Sequence, residues 1–368
     1  MNNVFITGGT GFLGSILINE ILSSSDAIVY VLVRGENIEK AQCRMISVLK
    51  EAIQPEALDE WKIERIKVCV GDITKKNLGL DMKTLEYLGA KVDTIYNLAA
   101  ITGLNLPLEK VREINVGGTK NVLEFAMICK NNLKKINHIG TAYVAGTYEG
   151  IFKEDYLDKG QTFNNTYEQG KFESELLIRK YRDKGLDIDV FRPGIIVGRY
   201  SDGKTTNFKM FYQPINFFSQ EIFGVIPADK DSSANMINVD VTAKIITKIS
   251  IAETNRNITY NVVSPTVLSF EEVVGIASEY FGFKRPKLCS LDSFDIKKEY
   301  SPVNRLITEP FIPYFNYKCE FSIENTIGVL KDGINSFPKF DKKNLIRLFE
   351  YCDKQGFIKR KKKNVVVK

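Results

Sequence analysis

Tyr167 and Lys171 stand four residues apart in "TYEQGKFESE" (166–175), a spacing that places two side chains on one face of a helix. A phenol beside an ammonium could donate a proton to an oxygen that gains negative charge during a reaction. Spacing does not select this pair, because Tyr87/Lys91, Tyr200/Lys204, Tyr280/Lys284 and Tyr314/Lys318 repeat it. The choice among the five rests on the elements that carry them.

A second chemical signal lies at the start of the chain, in "TGGTGFLG". Thr7, Gly8, Gly9, Thr10, Gly11, Phe12, Leu13 and Gly14 follow the β-branched run "NVFI" and precede the helix-compatible "SILINEILSS". Glycines spaced by three at a strand-to-helix turn permit a tight bend, close approach of backbone to a pyrophosphate, and close helix–sheet packing. The expectation is a dinucleotide site, with a purely structural turn as the bland alternative.

Folds of this kind that prefer NAD carry an acidic residue roughly 20 positions further on, at the end of the second strand. This chain has Arg34 there, and Arg44 follows in "LVRGENIEKAQCRM" on the next predicted helix. Guanidinium groups pair with phosphate, so the reading is NADPH (NADP) in preference to NAD. Asp72 and Ile73 in "VGDI" end the third strand, where Asp72 could accept from the adenine amino group or act as a helix N-cap ahead of "TKKN". Leu98, Ala99 and Ala100 in "NLAA" offer small side chains where backbone must pass the cofactor. Asn115, in "REINVGGTKN", could order a water or a backbone carbonyl, or cap a helix.

The elements that must position these groups read as alternating strands and helices. Short apolar runs at 3–9, 27–34, 66–72, 92–100, 136–144 and 186–194 have the character of buried parallel strands. Between them, "GGTKNVLEFAMICKNN" places Val122, Phe125, Ala126 and Cys129 on one helix face. The pattern predicts an α/β, Rossmann-type doubly wound parallel sheet with right-handed crossovers. Residues 1–198 are expected to form the NADP(H)-binding domain. Residues 199–368 are expected to form a smaller C-terminal substrate-binding region, interleaved with the last Rossmann elements at about 225–265. "MINVDVTAKIITKI" (236–249) reads as a strand running into a helix that rejoins the main sheet, and "FKMFYQPINFF" as core or as an apolar tunnel wall.

With 368 residues and 44% hydrophobic content, the chain can bury a substantial core. Six scattered cysteines without C-x-x-C are expected to be free thiols. A single histidine, His138, argues against a His-based triad and a multi-histidine metal site, so no metal is expected. The formal charge of +6 includes the terminal run "KRKKK" (359–363), which reads as a solvated tail, with contact to an acidic partner, an anionic membrane surface or nucleic acid as the alternatives. No aromatic-interleaved basic motif points to nucleic acid, and no apolar run is long enough to predict an integral membrane segment. The expectation is a cytoplasmic protein, monomer or dimer.

Taken in order, "TGGTGFLG", "GDI", "NLAA", "NVGGTKNVLE", Thr141 in "IGTAYVAG", "YEQGK" and "RPG" resemble the extended short-chain dehydrogenase/reductase superfamily over roughly residues 3–265. "LVRGENIEKAQCRM", "VGDITKKNLGLD" and "RPGIIVGRYSDGKTTN" are most similar to its thioester reductase and fatty acyl-CoA reductase (male-sterility-type) branch. That resemblance selects Tyr167, since only its pair follows the Thr141 strand and precedes "RPG". It implies Thr141, Tyr167 and Lys171 as catalytic residues: Tyr167 as proton donor, Lys171 tuning the phenol toward neutrality and binding ribose, Thr141 holding the substrate oxygen. Tyr167, Lys171, Pro193, Gly194 and Ile196 join the implied cofactor wall. Two positions depart from the pattern: relatives commonly have serine where Gly170 stands and often where Gly140 stands.

The implied activity is NADPH-dependent reduction of an acyl thioester, on a carrier protein or CoA, to aldehyde or alcohol. A nucleotide-sugar epimerase or dehydratase using NAD is the alternative enzyme, and Arg34 argues against it. A dinucleotide sensor on the same fold is the non-catalytic alternative, and the intact Thr141, Tyr167, Lys171 set argues against it.

Overall fold

The computed structural model describes residues 1–53, 59–252, 256–330 and 337–360, so "KRKKK" lies mostly outside the described residues. Its strands in chain order are β1 Asn3–Thr7, β2 Ile28–Val33, β3 Ile66–Val70, β4 Thr94–Asn97, β5 Lys135–Ile139, β6 Gly150–Phe152 and β7 Ile188–Pro193. There follow β8 Ile195–Val197, β9 Val225–Pro227, β10 Met236–Asn238, β11 Thr259–Val262, β12 Lys287–Cys289 and β13 Cys319–Phe321. Seven of them form one parallel sheet in the order β11-β7-β5-β4-β1-β2-β3. The order reverses between β1 and β4, which opens a crevice beyond their carboxyl ends.

Alternation along the central strands builds two cores. Val4 and Ile6 of β1 with Val29, Val31 and Val33 of β2 meet the helices Phe12–Ser24, Ile38–Ala52 and Val239–Ile251 on one face. Phe5, Tyr30 and Leu32 point the other way, against Leu85 and Leu88 and against Val122, Phe125, Ala126 and Cys129, the last four as the helical pattern predicts. Such two-sided burial explains why these strands read as continuous apolar runs.

All six expected strands are present. The seventh, β11, comes from "TYNV", too short and too polar to stand out. β10 does not join the main sheet; it pairs with β8, and the Val239–Ile251 helix packs against Phe12–Ser24 before β11 takes the sheet edge beside β7. Beyond residue 198, Tyr212, Ile215, Phe218, Phe281, Leu348 and Phe349 belong to a further core cluster, so those "FKMFYQPINFF" aromatics are packed against one another and against the last helix. All six cysteines are free, with Cys43 exposed on the Ile38–Ala52 helix. No helix among the described residues is long and apolar enough to cross a membrane, and no cluster of metal-ligating side chains occurs among them.

Candidate active site

β1 turns into the first helix through a bend closed by Gly11 N–H donating to the Gly8 carbonyl at 2.9 Å. Gly8 has φ +74°, and a Cβ there would come within 2.7 Å of the Ala99 nitrogen; one on Gly14 would come within 2.2 Å of the Gly8 carbonyl oxygen. Both positions therefore require glycine, and the tight turn sits at the switch between β1 and β4. Thr7 is fully buried below it, donating to Asn97 Oδ1 at 2.9 Å and accepting from Ala99 N–H at 3.2 Å. Its hydroxyl braces the crevice floor. Leu98, Ala99 and Ala100 form a half-buried wall beside Gly8.

Arg34 and Arg44 are both exposed at the carboxyl end of β2. Arg44 Nη1 donates to the Arg34 carbonyl at 3.1 Å, and among the described residues neither guanidinium is in an ion pair. Asp72 Oδ1 accepts from Thr74 N–H and Thr74 Oγ1, both at 2.9 Å, within a turn; the helix-cap alternative is not realised, since the short helical stretch Lys76–Gly79 begins after Lys75, and one carboxylate oxygen remains. Ile73 turns its side chain onto Gly118, where an added Cβ would lie 2.5 Å from Ile73 Cδ1, and its carbonyl accepts from Asn121 Nδ2 at 2.7 Å. Asn115 lies in a π-helical stretch, Arg112–Gly117, and clamps Ile101 from both sides, accepting its N–H at 2.8 Å and donating to its carbonyl at 3.1 Å. The clamp fixes the loop after β4 that borders the crevice.

Tyr167 and Lys171 open the helix Thr166–Arg182. Asn165 caps it by accepting from Glu168 N–H at 3.0 Å, Glu168 sits in the first turn, and Arg179, Lys180 and Arg182 fill the last, matching the helix dipole. Thr141 follows β5, buried, in a turn where Tyr143 N–H donates to its Oγ1 at 3.3 Å. Thr141 Oγ1 reaches the Pro193 carbonyl at 3.4 Å, and the Thr141 hydroxyl is the group that favours the ionised form of the Tyr167 phenol. Lys171 Nζ donates to the Ile139 carbonyl at 2.6 Å. The ends of β5 and β7 thus meet the start of one helix. Gly194, next to Pro193, is packed against the Asn235 carbonyl, which a Cβ would approach to 2.6 Å, and Ile196 is half-buried on β8.

Burial pushes the Tyr167 phenol up to about 12, opposed by the Thr141 hydroxyl, and holds the Lys171 ammonium down to about 8, opposed by Glu175. The expectation is that Lys171 draws the phenol toward neutrality; the direction here is upward, because desolvation and the nearby Glu168 carboxyl both disfavour the phenolate. Tyr167 is held protonated, as a donor must be. Among the competing pairs, Tyr87 lies exposed on the helix Met82–Lys91.

Sequence reasoning missed a charged layer under this site. Arg192 of β7 and Glu175 are both buried and paired through Nη2–Oε2 at 2.7 Å, with Nε also within 3.1 Å of the carboxylate. Glu168 is also fully buried. The available signal was a carboxylate on the inward face of the Lys171 helix and an arginine inside a buried strand, "VFRPG". His138, within β5, is buried with Nδ1 3.1 Å from Asn97 Nδ2 and is held neutral by desolvation.

Fold and site together define an NAD(P)-binding domain of the extended short-chain dehydrogenase/reductase type. The glycine turn, the small-residue wall and two guanidinium groups outside any ion pair among the described residues fit a dinucleotide. The family model described as "Male sterility protein", an NAD-binding domain, matches residues 6–246. The chain belongs to that family. It is 26% identical over 284 residues to a linear gramicidin synthase of Brevibacillus parabrevis, covering 76% of this chain and 5% of that protein. It is 28% identical over 272 residues to L-2-aminoadipate reductase of Saccharomyces cerevisiae, covering 69% of this chain and 19% of that protein. The chain thus spans a fifth or less of these relatives. The terminal R domain of the myxalamid PKS-NRPS pathway superposes with TM-score 0.85 at 22% identity, over 98% of this chain and 93% of that one. A thiolation-reductase di-domain of an archaeal non-ribosomal peptide synthetase does so with TM-score 0.79 at 24% identity, over 97% and 76%. UDP-glucuronic acid 4-epimerase of Bacillus cereus shares the fold with TM-score 0.67 at 18% identity, over 96% and 99%.

Proposed function

We propose that the chain is an NADPH-dependent reductase of an acyl thioester carried on a carrier protein or CoA. The observation that carries this reading is the convergence of Thr141 at the end of β5 with Tyr167 and Lys171 at the start of one helix, tied to β5 by Lys171 Nζ on the Ile139 carbonyl, at the crevice that the glycine turn opens. Relatives named as reductases and as peptide-synthetase R domains support the thioester class. Arg34 and Arg44 support NADPH through the 2′-phosphate.

When bound, the cofactor supplies a hydride to the thioester carbon. The carbonyl oxygen then carries negative charge, which Thr141 Oγ1 and the Tyr167 hydroxyl hydrogen-bond; Tyr167 delivers its proton there. Cleavage of the C–S bond releases the thiol and an aldehyde, and a second round of the same chemistry on that aldehyde gives an alcohol. Lys171, fixed by the Ile139 carbonyl, binds ribose and compensates the phenolate. In this reading residues 1–198 hold NADP(H) and residues 199–368 receive the acyl group. A cleft of about 1080 Å³ supports that division: Thr147, Asn164, Lys230, Lys287 and Lys318 line it, close to the start of the Tyr167 helix.

Turnover with NADPH and a panel of carrier-bound and CoA-bound acyl groups tests the reading, with product analysis to separate aldehyde from alcohol. Tyr167→Phe is expected to lose about 100-fold or more in kcat while still binding NADPH. Absence of NADPH oxidation with every member of the panel would sink it.

A further inference from the structure

Tyr314, one of the tyrosines set aside in the sequence, lies against the site. Its hydroxyl donates to Glu168 Oε1 at 2.7 Å and accepts from Asn165 Nδ2 at 2.8 Å. Asn165 is the residue that caps the Tyr167 helix. The other Glu168 oxygen accepts from Asn164 N–H at 2.9 Å and Asn164 Nδ2 at 3.1 Å. Glu168 is wholly buried, and among the described residues no cation is paired with it. A buried carboxyl satisfied only by neutral donors is costly, and such networks fix geometry more than they stabilise.

The Tyr314 ring also packs edge-on against Tyr143 at 5.3 Å between centroids, and Tyr143 N–H is the group that donates to Thr141. One side chain therefore touches the turn that carries Thr141 and the first turn that carries Tyr167. On its remaining side Tyr314 lines an apolar pocket with Ile195, Phe218, Phe270, Phe311 and Phe315. Tyr314 comes from the short helix Ile312–Phe315, far along the chain from both turns.

We propose that Tyr314 and Glu168 are positioning residues: their hydrogen bond is a latch through which the C-terminal region holds Thr141 and Tyr167 in register. The catalytic consequence of this inference rests on the reductase reading above. The groups that face Glu168 are the phenols of Tyr143, Tyr167, Tyr314 and Tyr317, with the Cys319 thiol beyond Tyr143 and Tyr317. Burial raises Glu168 to about 7, so the latch titrates in the working range.

Tyr314→Phe keeps the ring and removes the hydroxyl; Glu168→Gln keeps a hydrogen-bonding carbonyl and removes the charge. Expected for Tyr314→Phe is a fall of roughly 10- to 100-fold in kcat with KM for NADPH unchanged. Expected for Glu168→Gln is loss of a pH limb near 7 in kcat. Amide exchange adds a readout that needs no turnover: in Tyr314→Phe, residues 141–146 and 164–168 should exchange about tenfold faster, and together. Wild-type exchange in both segments would overturn the latch even if no thioester proves to be a substrate. Wild-type kcat and pH profile in a folded, active Tyr314→Phe would overturn it equally. If the protein turns over nothing but the exchange rates move as expected, the reductase reading falls and the latch stands.

Discussion

A Cβ on Gly170 would lie 2.4 Å from Val111 Cγ1, so the helix carrying Tyr167 and Lys171 approaches its neighbour across a contact that only hydrogen allows. Val111 is fully buried and short, with no room to swing aside. Gly170→Ser is therefore expected to lower stability by about 1–3 kcal/mol through overpacking, more than the fraction of a kcal/mol that helix propensity returns. It should also lower kcat, because the displaced helix carries the proposed donor. Adding Val111→Ala should restore both. Thermal unfolding and turnover of the two variants check this, and a fully active, fully stable Gly170→Ser would contradict the close contact.

The same geometry explains what was legible in the sequence. The glycine turn could be read because Gly8 and Gly14 answer to backbone atoms a few residues away or at the next strand end. Six strands could be read because burial on both faces leaves unbroken apolar runs. Gly140 and Gly170 read as departures, since their reasons are the distant Glu175 and Val111. Tyr314 could not be assigned to the site at all: its tie to Glu168 spans 146 positions and depends on how the C-terminal region folds back.

Arg34 and Arg44 act as a coupled pair, since Arg44 Nη1 holds the Arg34 carbonyl at 3.1 Å. In the proposed NADPH reading, replacing Arg34 by Glu removes one phosphate partner and places a like charge near the ribose. A charge-assisted hydrogen bond of about 1.5–3 kcal/mol converts to a rise of roughly 10- to 100-fold in KM for NADPH, with little change for NADH. Arg44→Ala should give a smaller shift in the same direction. Steady-state kinetics with both cofactors decides it, and an unchanged NADPH/NADH ratio in Arg34→Glu would refute the assignment.

Arg192 and Glu175 form a buried pair directly beneath Lys171. Removing one partner leaves the other charge buried, at a cost of about 3–5 kcal/mol. Arg192→Met should therefore lower the denaturant midpoint strongly. Gly140→Ser should act on the same pair, because its Cβ would come within 2.6 Å of Glu175 Oε1, which Arg192 holds in place. The two substitutions are expected to be less than additive in a double-mutant cycle, and full additivity would separate Gly140 from the pair.

Stability should depend on pH through two neighbours with opposite signs. Burial raises Glu168 from 4.5 to about 7, so between these values the folded chain keeps a proton that the unfolded chain has released. The contribution is largest below 4.5 and falls as pH rises toward 7. Burial lowers Lys171 from 10.5 to about 8, so in that window the unfolded chain holds the extra proton and stability rises with pH. His138, held neutral by desolvation, opposes Glu168 on the acid side. For that reason the total curve is uninformative, and differences between variants carry the test. Wild type minus Glu168→Gln should slope downward between pH 5 and about 7, and wild type minus Lys171→Met should slope upward between about 8 and 10, in urea unfolding at fixed ionic strength. A flat Glu168 difference would mean that its carboxyl titrates as an exposed one does. The donors from Asn164 and Tyr314 would then balance its desolvation, and the charge beside Tyr167 would be permanent across the working range.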